Sequence, residues 1–159
     1  MLVRCKDREE ECTCVVQMVA DLLRKGQIAP EDIGIIYPRI ERKNDEIFRR
    51  FCKSLDKVAP VVWISEKGGN SRGRIVEAGI KCQTILHAKG LQYRLVFLIW
   101  ADLLPSHFDD TDSVSERSQL YVAITRAEEH LVITASGSSP FIEEIASSQF
   151  VDAKNFKLE

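Results

Sequence analysis

The sequence predicts an α/β fold, a mostly parallel sheet with helices on both faces, and three observations carry that expectation. Short β-branched runs alternate with stretches whose apolar residues recur every three or four positions. The runs at 33–37 and 61–64 are bounded by Pro38 and Pro60, as buried strands are. The 159 residues, 45% hydrophobic and 29% charged, have the size and mix of one domain with one core. Alternation of this kind implies right-handed crossovers, with ligands at the strand ends.

Each element has its own signal. Leu2-Val3 is a short apolar start. Asp7 followed by Glu10 has the spacing of a capping box, so a helix should run from there to about Lys25, with Gly26 as its stop. Cys12, Val15, Val16, Val19, Leu22 and Leu23 give that helix one apolar stripe, facing a sheet. Ile33–Tyr37 reads as a buried strand. A second helix carries Ile47, Phe48, Phe51, Cys52 and Leu55 on one face and Arg49, Arg50, Lys53 and Asp56 on the other. A strand at 61–64 follows, and others are expected at 82–86, 95–99 and 130–135. A helix from about residue 115 to 126 precedes the last of these, and a short helix after Pro140, through Phe141, Ile142 and Ile145, closes the fold.

Between the strands at 61–64 and 82–86, the polar stretch 66–79 holds Gly68, Gly69, Gly73 and Gly79 and reads as an exposed loop. Gly68-Gly69-Asn70-Ser71-Arg72-Gly73 satisfies the first half of the phosphate-loop pattern G-x-x-x-x-G-K-[ST]. Arg74 and Ile75 stand where that loop needs Lys and a magnesium-binding Ser or Thr, and isoleucine cannot ligand a metal. A chain with this loop alone should not be a competent NTPase.

Composition excludes several classes. Twenty-two basic and 24 acidic residues give a net charge of -2, so nucleic acid finds no general attraction and any contact must be local. No apolar run approaches the ~20 residues of a membrane span, and the start lacks a secretory signal, which makes the cytoplasm the expected location. Five cysteines form an odd count that fits reduced thiols. Cys12-Thr13-Cys14 lacks zinc-ligand spacing, so Cys12 is expected on a buried helix face and no metal site is expected.

Two stretches go beyond composition. Thr84-Ile85-Leu86-His87-Ala88-Lys89-Gly90-Leu91-Gln92-Tyr93, followed by an apolar strand, resembles motif V of the UvrD/Rep helicases, whose core is A-K-G-L-E or A-K-G-L-Q. Glu116-Arg117-Ser118-Gln119-Leu120-Tyr121-Val122-Ala123-Ile124-Thr125-Arg126-Ala127 resembles motif VI of the same family, E-R-R-L-x-Y-V-A-x-T-R-A. The likeness is strong over about residues 80–136, and Asp32-Ile33-Gly34-Ile35-Ile36-Tyr37 resembles the D-I-A-V-L-Y-R segment upstream. The departures are specific. The family has T-x-H-x-A-K-G-L, but Leu86 holds the His position and His87 follows it. Pro38 shifts Arg39 by one residue, and Ser118 and Gln119 replace an arginine and an apolar residue.

The resemblance implies a single second RecA-like motor domain over residues 1–159, trimmed of the phosphate-loop, magnesium and Asn-Tyr-Arg motifs. The about 25 residues between the second helix and motif V leave no room for an inserted helical domain. It implies that Arg126 is the arginine finger for ATP held by a phosphate-loop partner domain, in cis or trans, which would also hold Mg2+. Lys89, Gly90 and Gln92 would face the nucleotide, and Thr84 with His87 would contact single-stranded DNA. Tyr121, Val122 and Ile124 would pack inside. Two other readings stay open: a stand-alone nucleic-acid-binding module that has lost catalysis, and an unrelated α/β interaction domain.

Overall fold

The structure is a computed structural model that describes residues 1–64, 76–105 and 113–155. The phosphate-loop-like stretch at 68–75 lies outside the described residues. Among the described residues seven strands form one parallel sheet: β1 (Leu2–Arg4), β2 (Ile33–Tyr37), β3 (Val61–Trp63), β4 (Ile80–Thr84), β5 (Tyr93–Leu98), β6 (Ala127–Ala135) and β7 (Ala153–Asn155). Their order is β3-β4-β2-β5-β6-β1-β7, and every pairing is parallel. Among the described residues four α-helices cover it: α1 (Arg8–Arg24), α2 (Asp45–Asp56), α3 (Ser113–Ile124) and α4 (Pro140–Ser147).

The alternation of side chains along each strand splits the core into two layers. Ile33, Ile35 and Tyr37 of β2, with Leu95 and Phe97 of β5 and Cys82 of β4, meet Cys12, Val15 and Val19 of α1 and Phe48, Phe51 and Leu55 of α2. The residues between them, Ile36, Val96 and Leu98, meet Leu120 and Ala123 of α3 and Phe141 and Ile142 of α4. Gly34 sits in that second layer because the ring of Tyr93 lies over it. A Cβ at position 34 would come within 2.8 Å of the ring's Cγ.

Local signals explain the boundaries. Asp7 caps α1 by accepting from Glu10 N at 2.8 Å, while Glu10 reaches back to Lys6 N at 2.6 Å. Gly26, at φ +64°, ends the helix in a conformation that suits glycine. Ser139 caps α4 ahead of Pro140.

Four expectations need correction. β4 begins at Ile80, not 82, and β5 at Tyr93, not 95. Lys81 and Gln83 are both buried in β4, and polar residues at inward positions hid its start. β6 extends back to Ala127, because its first residues are exposed and carry no apolar signal. Tyr121 is 65% exposed, since Leu120 and Ala123 take the inner face of α3. β7 has three exposed residues and no pattern to read.

Beyond the carboxyl ends of β5 and β6 lies a buried ionic cluster. Glu11, fully buried, accepts from Trp100 N at 2.6 Å, Thr134 Oγ1 at 2.5 Å and Arg8 Nη1 at 3.1 Å. Arg8 also grips Asp102 with two bonds of 2.7 and 2.6 Å. Trp100 adopts a left-handed backbone at φ +58°, and its N–H turns toward Glu11.

Candidate functional site

The residues singled out from the sequence fall at two ends of the sheet. β4 delivers Thr84 to the carboxyl end, where it pairs with Tyr37 of β2. A tight turn over 85–90 then leads back to the amino end of β5 without a helix. Ile85 and Ala88 are buried in that turn and anchor it on the second layer. Gly90, at φ +86° with open space where a Cβ would stand, completes it, so the requirement there is backbone conformation and not crowding.

At the amino end, Arg126 follows α3 directly and enters β6. Its Nε donates to Val122 O at 2.9 Å, Nη2 to Thr125 Oγ1 at 3.0 Å and Nη1 to Leu91 O at 3.3 Å. Its own carbonyl accepts from Tyr93 N at 2.9 Å. The half-buried guanidinium is therefore fixed against the Gly90-Leu91-Gln92 turn. Exposed Gln92 lines a shallow cavity of about 400 Å³ with Leu91, Tyr93, Glu31, Glu77 and Lys81. Lys81 donates to Gly79 O at 3.1 Å and to Glu77 O, and burial lowers its pKa below the ordinary lysine value. Tyr93 is buried, its hydroxyl accepts from Gln83 Nε2 at 2.8 Å, and burial pushes its pKa up to about 12.

At the carboxyl end, Thr84 Oγ1 and His87 Nδ1 share a hydrogen bond of 2.8 Å, both on the outside of the turn. A cavity of about 580 Å³ opens beside them, lined by Pro38, Arg39, Thr84, Ile85, Leu86, Lys89, Ser115, Ser118, Gln119 and Val122. The structure thus ties Arg126 to the carbonyl of Leu91, which lies in sequence between Gly90 and Gln92, and places the Lys89 side chain with Thr84 at the other end. Ser115, Ser118, Gln119 and Val122 line the cavity because their spacing puts them on one face of α3. Ser115 was missed from sequence, where nothing distinguishes a serine near a helix start.

Chemically the amino-end patch offers the Arg126 guanidinium and the Gln92 carboxamide, beside a cavity that Glu31, Glu77 and Lys81 also line. None of the helices among the described residues is long and apolar enough to cross a membrane.

Comparison with known proteins bears on the fold and on the stretch that carries both motifs. Residues 80–134 match the model of the UvrD-like helicase C-terminal domain. A protein of Mycoplasma capricolum subsp. capricolum described as a probable DNA helicase II homologue is 28% identical over 121 residues. The match takes in 70% of this chain and 16% of that protein, so the chain spans a small part of the relative's length. Among solved structures, the C-terminal domain of a possible DNA helicase from Lactobacillus strain WCFS1 superposes with a TM-score of 0.61 at 21% identity, over 89% of this chain and 76% of that one. Domain 2 of the DEAD-box helicase Mss116p, solved on an RNA duplex, superposes with a TM-score of 0.65 at 12% identity, over 99% of this chain and 64% of that one. Those two likenesses concern the fold. The match over residues 80–134 makes that part of the chain similar to the UvrD-like helicase C-terminal domain, and the two solved structures show that the fold is shared.

Proposed function

We propose that the chain is the second half of an ATP-driven DNA motor, completing a nucleotide site whose phosphate cradle and Mg2+ belong to a partner domain. One observation carries this reading: Arg126 is held by Leu91 O beside Gly90 and Gln92, so both helicase-like stretches converge on one patch. Arg126 would stabilise charge growing on the transferred phosphoryl group, and Gln92 would hydrogen-bond the nucleotide. Lys89, whose side chain lines the cavity beside Thr84, would add positive charge at the strand end and not at the nucleotide. Thr84 and His87 would hold a single-strand phosphate at the opposite end of the sheet. A domain that contacts nucleotide at one end and strand at the other can convert closure on ATP into movement along DNA.

Single-turnover hydrolysis by the intact helicase, at saturating ATP and DNA, tests the reading. Arg126→Ala should lower turnover by ~10³ or more with nucleotide affinity largely kept. Arg126→Lys should restore little, because an ammonium cannot reproduce the planar fork. Hydrolysis by Arg126→Ala within about threefold of wild type would remove the arginine from this role. The 159-residue chain alone should show no ATPase above background, since the patch supplies neither magnesium ligands nor a phosphate cradle.

A further inference from the structure

We infer that Cys52 of α2 and Cys82 of β4 are a modification site, a thiol pair that a hydroperoxide closes into a disulfide, tying the helix to the sheet. The first observation is distance. The two sulfurs face each other at 3.9 Å, within hydrogen-bond reach, although 30 positions of sequence separate them. A disulfide holds its sulfurs at about 2.05 Å, and the remaining gap is on the scale of a rotation about one Cα–Cβ bond.

The second observation is that the two thiols differ in access. Cys52 is half-buried, whereas Cys82 is fully buried between its register partners, Ile35 of β2 and Trp63 of β3. Burial holds the Cys82 thiol well above its ordinary pKa, and it pushes that of Cys12, the nearby thiol on α1, up to about 12. Oxidation therefore starts at Cys52, the member of the pair that solvent reaches, and Cys82 resolves it.

The third observation is what each element can give. β4 is an interior strand, paired on both sides, so Cys82 is fixed in place. α2 rests on the sheet through Phe48, Phe51 and Leu55, and the exposed Arg50–Glu9 pair of 2.8 Å links it to α1. Apolar contacts are non-directional, so the helix can shift slightly toward β4 while keeping them. The bond fastens to α2 the strand that ends at Thr84.

The step balances with hydrogen peroxide as oxidant. The Cys52 sulfur, its proton lost, attacks one peroxide oxygen and the O–O bond breaks. The departing hydroxide takes up that proton as water, leaving Cys52 as a sulfenic acid. The Cys82 sulfur then displaces the sulfenic hydroxyl to form the S–S bond, and its proton leaves with that hydroxyl as a second water. Two thiols lose two electrons in all, and one peroxide is reduced to two waters.

The test treats the fully reduced 159-residue chain with one equivalent of hydrogen peroxide, alkylates the remaining thiols under denaturing conditions and maps tryptic peptides by mass. One new species should join residues 51–53 to 82–89, lighter by two hydrogens than the two pieces together. The oxidised chain should unfold about 5–10 °C higher than the reduced one, because the bond closes a loop that the unfolded chain must keep, and dithiothreitol should reverse the shift. Cys52→Ser and Cys82→Ala should each lose the linked species and the shift. Cys52→Ser, at the half-buried position, keeps the test available should Cys82→Ala fail to fold. Recovery of Cys52 as a sulfinic acid with Cys82 alkylated would overturn the pair. A link to residues 9–24, which hold Cys12 and Cys14, in place of 82–89 would do the same, as would a bond between two chains.

Discussion

Glu11 organises the carboxyl edge of β5 and β6, and burial raises its pKa above the ordinary glutamate value of 4.5 despite Thr134, Arg8 and Trp100 N favouring its charge. A carboxyl raised on folding keeps more protons in the native state than in the unfolded chain. The stability this confers is present below about pH 4.5 and is lost as pH rises through the folded value. Denaturant midpoints should therefore fall for wild type, relative to Glu11→Gln, as pH rises from 4.5; a difference that stays constant with pH would remove Glu11 as the titrating group. Glu11→Ala leaves Trp100 N and Thr134 Oγ1 buried without their acceptor and should cost about 3 kcal/mol. None of this was legible in the sequence, because Glu11 stands in the run Arg8-Glu9-Glu10-Glu11, where any carboxylate reads as solvated. Its partners come from positions 100 and 134, which only the folded chain brings close. Gly34 was equally silent. Gly34→Ala should destabilise by about 1–3 kcal/mol, as urea unfolding would measure, because the Tyr93 ring must move from its seat on β2.

Elements were legible to the extent that their periodicity matched their burial. α1 and α2 present clean apolar stripes, and β2 is buried at all five positions, so their places follow from spacing alone. The cap of α1 was readable as well. Asp7→Ala should lower stability by about 1 kcal/mol, and thermal unfolding at fixed pH would record it. β4 was misplaced by two residues because Lys81 and Gln83 occupy inward positions and find internal partners in Gly79 O and Tyr93. α3 is weakly patterned: Val114 and Tyr121 are exposed apolar residues, while Glu116 is buried, so hydrophobicity misled on which face turns inward. The 85–90 turn shows the opposite balance. Its sequence pointed to function before its structure could be described, because the resemblance was carried by residue identities, whereas the split between Lys89 and Gln92 depends on where each side chain points.

For the molecule as a whole, the strand order sets a gradient of stability. β2 and β5 lie side by side at the middle of the sheet and are covered on both faces, while β7 pairs only with β1 and exposes all its side chains. Amide exchange in β2 and β5 should be slower than in β7 by about two orders of magnitude or more, since edge strands open locally and central ones only with the whole fold. Comparable protection across the sheet would contradict the topology. The packing around α2 has an optical consequence. The chain has two tryptophans, and both rest against Phe48, with ring centroids 5.3 Å away for Trp63 and 5.7 Å for Trp100. Both indoles thus belong to the layer that α2 seals, on the opposite side of the sheet from α3 and the cavity it lines. Native emission from this protein is a gauge of whether α2 is seated against the sheet, and not of events on the α3 face.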